Sequence, residues 1–160
     1  AFGVALLALV AWLAPRDVAR RTVRSTGLPR FSAVAMLAGY GWLTVAGVAW
    51  AVTGVPTTRA AHDLLVHTVF LGFAMSMVLA HAPVILPSVL RRPLPYRRVL
   101  WAPLVVLPAG LAVRVCGDLV GQTRLAQAGG VLTTVALLLL PLTAAASVAL
   151  PVRHPRSVPA

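Results

Sequence analysis

The sequence predicts an all-α protein, a polytopic bundle of about five transmembrane helices, and three observations support this fold class. Hydrophobic residues make up 59% of the 160 residues, and the mean hydropathy is +0.90. Only 11% of the residues are charged, whereas a typical soluble domain has about a quarter. The apolar residues form long runs that are separated by short arginine-rich breaks. We therefore expect residues 1–160 to form a single transmembrane helical domain in a lipid bilayer.

Five apolar runs give the predicted spans. The first, residues 1–14, would be about 21 Å long as a helix, which is shorter than the ~30 Å hydrocarbon core of a bilayer. We interpret it as the end of a truncated span. The other four are predicted at about residues 31–54, 62–90, 99–120 and 128–150. Prolines inside these runs indicate kinked helices that pack against one another.

The arginines predict how the chain is oriented in the membrane. All 14 basic residues are arginines, and 11 of them lie in segments 15–30, 91–98 and 151–160. The loops at 55–61 and 121–127 hold one arginine each. Because cytoplasmic loops of membrane proteins carry the excess positive charge, we expect the arginine-rich segments and the C-terminus in the cytoplasm. Membrane orientation therefore explains the basic charge, and no nucleic-acid partner is predicted.

The third span contains three of the four histidines. His62, His67 and His81 lie in the run AHDLLVHTVFLGFAMSMVLAHAP, residues 61–83. At about 100° per residue, Asp63, His67 and His81 fall on one helix face. Ionisable groups at membrane depth are costly and often mark functional sites. The three histidines are therefore candidate metal or haem ligands. Asp63 is a candidate for a carboxylate that orients the His67 ring, or for a proton-relay group.

The spacing of the histidines limits what they can bind. His67 and His81 are 14 residues apart, about 21 Å along a helix, so they cannot share one metal ion. This separation suits two haems, one in each leaflet, with second ligands from Met36, Tyr40, another subunit or a helix missing from this chain. The alternative is that the histidines are hydrogen-bonded packing residues. Small residues four apart on roughly the opposite face favour close helix packing, and these are Thr68, Gly72, Ser76 and Ala80.

The fourth span carries a second polar feature, RVCGDL, at residues 114–119. Arg114 and Asp118 are four residues apart and can pair along a helix. Both should lie near the outer surface, at the depth of Asp63 and His67, so the topology predicts a polar cluster there. Two interpretations stay open. The pair neutralises itself at the interface, or Arg114 binds an anion such as a haem propionate, with Asp118 in a proton relay.

The run from His62 to Pro87, followed by RVCGDL, resembles bacterial respiratory membrane proteins of the NnrS type. These haem- and copper-containing proteins are similar to subunit I of haem-copper oxidases, and the likeness covers mainly residues 61–121. The resemblance implies b-type haem or copper as cofactor and His62, His67 and His81 as ligands. It also implies a bacterial inner-membrane protein of a respiratory or nitrogen-oxide electron-transport pathway, assembled with other membrane subunits.

Three functional hypotheses follow from these features. The first is a haem- or copper-binding inner-membrane protein, the second is a transporter or proton-relay subunit with an outer polar cluster, and the third is a structural subunit of a larger complex. The sequence has no G-x-S-x-G motif, no P-loop and no Ser–His–Asp set, so no hydrolytic or phosphoryl-transfer activity is predicted. No catalytic residue is assigned.

Overall fold

The computed structural model describes residues 1–91 and 96–149, and these residues form an all-α bundle without any strand. The helical elements are, in chain order, α1 (Phe2–Arg16), α2 (Ala19–Thr22), α3 (Gly27–Thr53), α4 (Arg59–His67), a π-helical segment (Thr68–Ala74), α5 (Met75–Leu90), a 3-10 turn (Arg98–Leu100), α6 (Trp101–Leu119) and α7 (Thr123–Ala149). Since α4, the π-helical segment and α5 follow one another without a break, we call them together the histidine helix.

Four helices are long and apolar enough to cross a membrane: α3, the histidine helix, α6 with its preceding 3-10 turn, and α7. Helix α1 is also apolar but has only 15 residues. The five predicted helices are thus confirmed, and each prediction lies within a few residues of the observed bounds. Prolines 83 and 87 do not end the third helix, which continues through both of them to Leu90.

The loops opposite the arginine-rich end are short and have clear stop and start signals. Gly54 and Gly121 follow α3 and α6 with a φ of +68°, a backbone conformation that glycine adopts readily and other residues rarely adopt. Thr58 then begins α4, because its side-chain oxygen accepts a hydrogen bond from the backbone N–H of Ala61 at 3.2 Å. This cap fixes the start of the histidine helix one turn before His62 and Asp63.

The arginine-rich segment between α1 and α3 is folded onto the bundle. Helix α2 packs on α3, and Ala19 is fully buried. One carboxylate oxygen of Asp17 accepts a hydrogen bond from the backbone N–H of Ala19 at 2.8 Å. The other oxygen accepts a hydrogen bond from the hydroxyl of Tyr40 at 2.5 Å. Asp17 therefore ties the end of α1 to the middle of α3.

Small residues let the helices approach closely. The predicted ridge on the histidine helix is buried, with Thr68 at 0%, Ser76 at 2% and Ala80 at 2% exposure, and it packs against α3. This confirms the packing interpretation of the ridge. Helices α6 and α7 are in even closer contact, since a Cβ added at Gly110 would lie 2.8 Å from the Leu132 side chain, and one at Gly129 would overlap the backbone of Arg114.

The apolar core lies toward the arginine-rich end of the bundle. There α3, the histidine helix, α6 and α7 meet in a buried cluster, which consists of Phe31, Ala35, Leu79, Ala80, Leu100, Leu104, Leu107 and Ala136. On the outside of the bundle, large apolar side chains such as Val105, Leu138 and Leu142 are about 60% exposed. Such an apolar exterior is expected where helices face lipid. The opposite end has a polar contact instead.

Candidate functional site

The polar contact at the end opposite the arginine-rich segments, predicted to be the outer end, joins the histidine helix to α6. Asp63 lies in the second turn of α4, and Arg114 lies in the second half of α6. The guanidinium Nη2 of Arg114 is 2.6 Å from the carboxylate Oδ2 of Asp63. A charge-assisted hydrogen bond of this length is among the stronger polar contacts in proteins. It connects residues that are 51 positions apart in the chain.

His67 completes the cluster one turn after Asp63. Its Nδ1 is 2.8 Å from the backbone carbonyl oxygen of Asp63 and 3.3 Å from the carboxylate Oδ1 of the same residue. The Asp63 carboxylate therefore contacts a histidine through one oxygen and an arginine through the other. We call Asp63, His67 and Arg114 the outer cluster.

The outer cluster is shielded from solvent on most sides. The exposed fraction of the side chain is 25% for Arg114, 26% for His67 and 36% for Asp63. Helix α7 makes room for the arginine with two consecutive glycines: a Cβ at Gly130 would lie 3.1 Å from Nη1 of Arg114, and one at Gly129 would overlap the Arg114 backbone. The Nε of Arg114 is buried and has no hydrogen-bond partner among the residues that the structure describes.

Arg114 pairs with Asp63, and the predicted pair with Asp118 along α6 does not form within the described part of the chain. Asp118 is exposed, and its carboxylate takes part in no ion pair there. The physical reason is the position of α4, which packs beside α6 and brings the Asp63 carboxylate to the level of Arg114. Asp118 lies one turn nearer the helix end. Asp63, His67 and Arg114 thus come together as the topology predicted, whereas the predicted pair of Arg114 with Asp118 does not form among the described residues.

The π-helical segment starts directly after His67 and changes the direction in which the side chains that follow it leave the helix axis. A π-helix has i→i+5 hydrogen bonds and turns less per residue than an α-helix, so the regular 100° spacing does not hold between His67 and His81. His67 belongs to the half-buried outer cluster, whereas the side chain of His81 is exposed. The shared face predicted for these two histidines is therefore not retained.

The remaining histidines lie apart from the outer cluster. His62 is exposed on α4, and the Nδ1 of His81 is 2.8 Å from the backbone carbonyl oxygen of Met77. His154 lies outside the described residues. Within residues 1–91 and 96–149, no three histidine, cysteine, aspartate or glutamate side chains come together as a metal site. The donors present thus fit a single axial haem ligand at His67 or His81, and they do not fit a complete copper site.

Two polar features of the fold were not predicted from the sequence. The contact of Asp17 with Tyr40 replaces the role considered for Tyr40 as a haem ligand, and Met36 packs on the apolar core. The only available signal was that Asp17 is the one acidic residue among the arginines of segment 15–30. The second feature is the glycine pair opposite Arg114, which the sequence marks only as an isolated Gly-Gly in an apolar run.

Comparisons with known proteins place the chain in one family. The model of a domain of unknown function, DUF8744, matches residues 1–149, which include all five helices and the outer cluster. No curated protein and no solved structure matches the chain. From the extent of this match, the chain belongs to the DUF8744 family.

Proposed function

We propose that the protein is a transporter or proton-relay subunit of a bacterial inner membrane, in which the outer cluster takes up and releases a proton. The observation that carries the proposal is that the Asp63 carboxylate contacts both Arg114 and His67. Charged groups are expensive inside a membrane and recur in proton relays of pumps and transporters. Three ionisable side chains in one half-buried contact favour a functional role over simple packing.

The chemistry of the cluster assigns a separate task to each side chain. Arginine stays protonated in proteins, so Arg114 is a fixed cation that contacts the Asp63 side chain. Histidine is the side chain that commonly carries protons in proteins. With Nδ1–H donated to the Asp63 carbonyl, the Nε2 of His67 is the atom that is free to accept a proton. His67 is therefore the proton carrier, and Asp63 and Arg114 are positioning residues.

Proton flux into liposomes tests this proposal. Purified protein is reconstituted with a trapped pH-sensitive dye, and a potassium gradient with valinomycin sets an inside-negative potential. We expect acidification of the interior with the native chain and a loss of most of that flux with His67→Gln. His62→Gln is the matched control, since His62 is exposed on the same helix, and it should keep the native flux. Equal flux for the native chain and His67→Gln would contradict the proposal.

A second candidate function, haem binding, is favoured by the orientation of two imidazoles. In both His67 and His81 the Nδ1 faces the carbonyl oxygen four residues earlier, which leaves Nε2 available. This is the orientation of many metal-bound histidines, whose other ring nitrogen is held by a carbonyl or carboxylate. Together with the resemblance to respiratory proteins, it supports b-type haem with one ligand from this chain and the other from a partner subunit. A copper site would need further donors from such a subunit.

Spectroscopy of the purified protein tests the second candidate. A Soret band that His67→Ala or His81→Ala removes, and that His62→Ala leaves in place, would support haem binding. Elemental analysis of the same samples measures copper. A sample with neither a Soret band nor copper, when prepared from cells supplied with both iron and copper, would contradict it.

A further inference from the structure

The arginine-rich segments have an excess of positive charge in the sequence. Segments 15–30, 91–98 and 151–160 together hold 11 arginines, and their one acidic residue is Asp17. Both carboxylate oxygens of Asp17 already accept hydrogen bonds, from Ala19 and Tyr40. Clustered arginines next to transmembrane helices attract anionic lipid headgroups. The missing negative charge should therefore come from the membrane.

One cavity at the arginine-rich end of the bundle has the chemistry of a headgroup site. It has a volume of about 660 Å³ and is lined by Arg30 at the start of α3, Arg98 of the 3-10 turn, Tyr96 and Trp101. Both arginines are exposed, and neither forms a salt bridge with a described residue. The Tyr96 hydroxyl accepts a hydrogen bond from the indole N–H of Trp101 at 2.7 Å, so its own O–H can be donated into the cavity. Two guanidinium groups and a phenol thus face one space.

An apolar cavity lies directly behind this headgroup cavity. It has a volume of about 210 Å³, and its walls include Pro83, Leu86, Pro103, Pro141 and Ala144. Thr143 also lines it, but its hydroxyl already donates to the carbonyl of Leu140 at 3.1 Å.

The two cavities are neighbours in the structure. Arg30 lines the first and the next residue, Phe31, lines the second; likewise Trp101 lines the first and Leu100 lines the second. The ring centroids of Phe31 and Trp101 are 5.6 Å apart, so a side chain that lines one cavity contacts a side chain that lines the other. A polar cavity beside an apolar one matches a molecule with a charged head and a hydrocarbon chain.

We propose that these two cavities form a binding site for an anionic phospholipid, with the phosphate between Arg30 and Arg98 and one acyl chain in the apolar cavity. Charge complementarity supports this occupant, because a zwitterionic headgroup would add a cation next to two arginines. A free phosphate anion would use the polar cavity alone. The apolar cavity is what assigns the site to a lipid.

Native mass spectrometry of the full chain, released from detergent micelles, tests the charge requirement. Dioleoyl phosphatidylglycerol should bind with a defined stoichiometry, and dioleoyl phosphatidylcholine should bind much more weakly. The double variant Arg30→Gln, Arg98→Gln should bind phosphatidylglycerol about thirtyfold more weakly, since it removes two basic residues near the surface. The matched control, Arg20→Gln with Arg21→Gln, removes the same charge from exposed positions on α2 and should bind like the native chain. Equal binding of both lipids, or equal loss in the control, would overturn the proposal.

The acyl chain has its own matched pair of variants on α7. Ala144→Leu fills the apolar cavity and should weaken phosphatidylglycerol binding, whereas Ala145→Leu, at an exposed neighbouring position, should not. Glycerol phosphate, which has the headgroup but no acyl chain, should not displace the lipid at the same concentration. Displacement by glycerol phosphate would show that the site is an anion pocket, and the lipid proposal would fall. If Ala144→Leu fails to fold, the arginine variants and the glycerol phosphate competition still decide the question.

Discussion

At the scale of the residue, two carboxylates of this bundle have side-chain partners on other elements. Asp63 contacts Arg114 across two helices, and Asp17 contacts Tyr40. The sequence predicted how deep in the membrane these groups lie, because hydropathy indicates the transmembrane spans and the loop charges indicate their orientation. It did not identify the partners, because the pair visible in a sequence is the one four residues apart on one helix. Arg114 with Asp118 was such a pair, and the position of α4 beside α6 gave Arg114 a different partner, Asp63.

The hydrogen bond from Tyr40 to Asp17 should contribute to stability. Tyr40→Phe removes a donor from a partly buried carboxylate, and we expect a loss of about 1–3 kcal/mol in the free energy of unfolding. Thermal or denaturant unfolding in a mild detergent measures it. Thr53→Val is the control, since it removes an exposed hydroxyl that bonds only within its own helix, and it should change stability by less than about 0.5 kcal/mol. Equal effects of the two variants would contradict the role of Asp17.

At the scale of the element, the helices were predictable and their local deviations were not. Long apolar runs indicate transmembrane helices, because such a helix needs apolar side chains along the whole thickness of the hydrocarbon core. The π-helical segment left no such signal, since Thr68–Ala74 has an ordinary apolar composition. It follows His67 directly, and π-helical turns are frequent at functional sites. The prediction assumed a regular α-helix between His67 and His81, and it therefore gave the wrong relative direction for their side chains.

The contact between α6 and α7 depends on glycine at the point where the two backbones meet. Gly129→Ala should destabilise the protein by about 1–3 kcal/mol, because the new methyl group overlaps the backbone of Arg114 and forces the helices apart. Gly41→Ala is the matched control on α3, where an added Cβ meets nothing within 4 Å. It should be neutral or stabilising by up to about 1 kcal/mol through helix propensity. If thermal unfolding showed that Gly41→Ala loses more stability than Gly129→Ala, this view of the interface would be refuted.

At the scale of the whole molecule, the arginines predict that their end of the bundle faces the cytoplasm. After Cys116→Ser has removed the native cysteine, single cysteines at Thr58 and Gln122 should react with a membrane-impermeant thiol reagent in intact cells. A cysteine at Thr26 should react only after the cells are permeabilised. All three positions are exposed in the structure. Labelling of Thr26→Cys in intact cells at the rate of the other two would reverse the orientation.

The bundle as a whole consists of two parts that are joined at both ends. Helices α6 and α7 form one closely packed pair, and α1, α3 and the histidine helix form the other part. The apolar core joins them at the arginine-rich end, and the contact of Asp63 with Arg114 joins them at the outer end. The outer cluster thus combines a proposed function with a structural one.

The measurement that tests this account most directly is a double-mutant cycle on Asp63 and Arg114. It compares the free energies of unfolding in detergent of the native chain, the two single variants and the double variant. Asp63→Ala alone leaves the arginine without a partner and should cost about 2–3 kcal/mol, between the values for surface and buried pairs. The cycle should give a coupling energy of about 1–3 kcal/mol, whereas the parallel cycle of Asp118→Ala with Arg114→Ala should be additive within about 0.5 kcal/mol. Coupling of Arg114 to Asp118 and none to Asp63 would contradict the outer cluster and the function proposed for it.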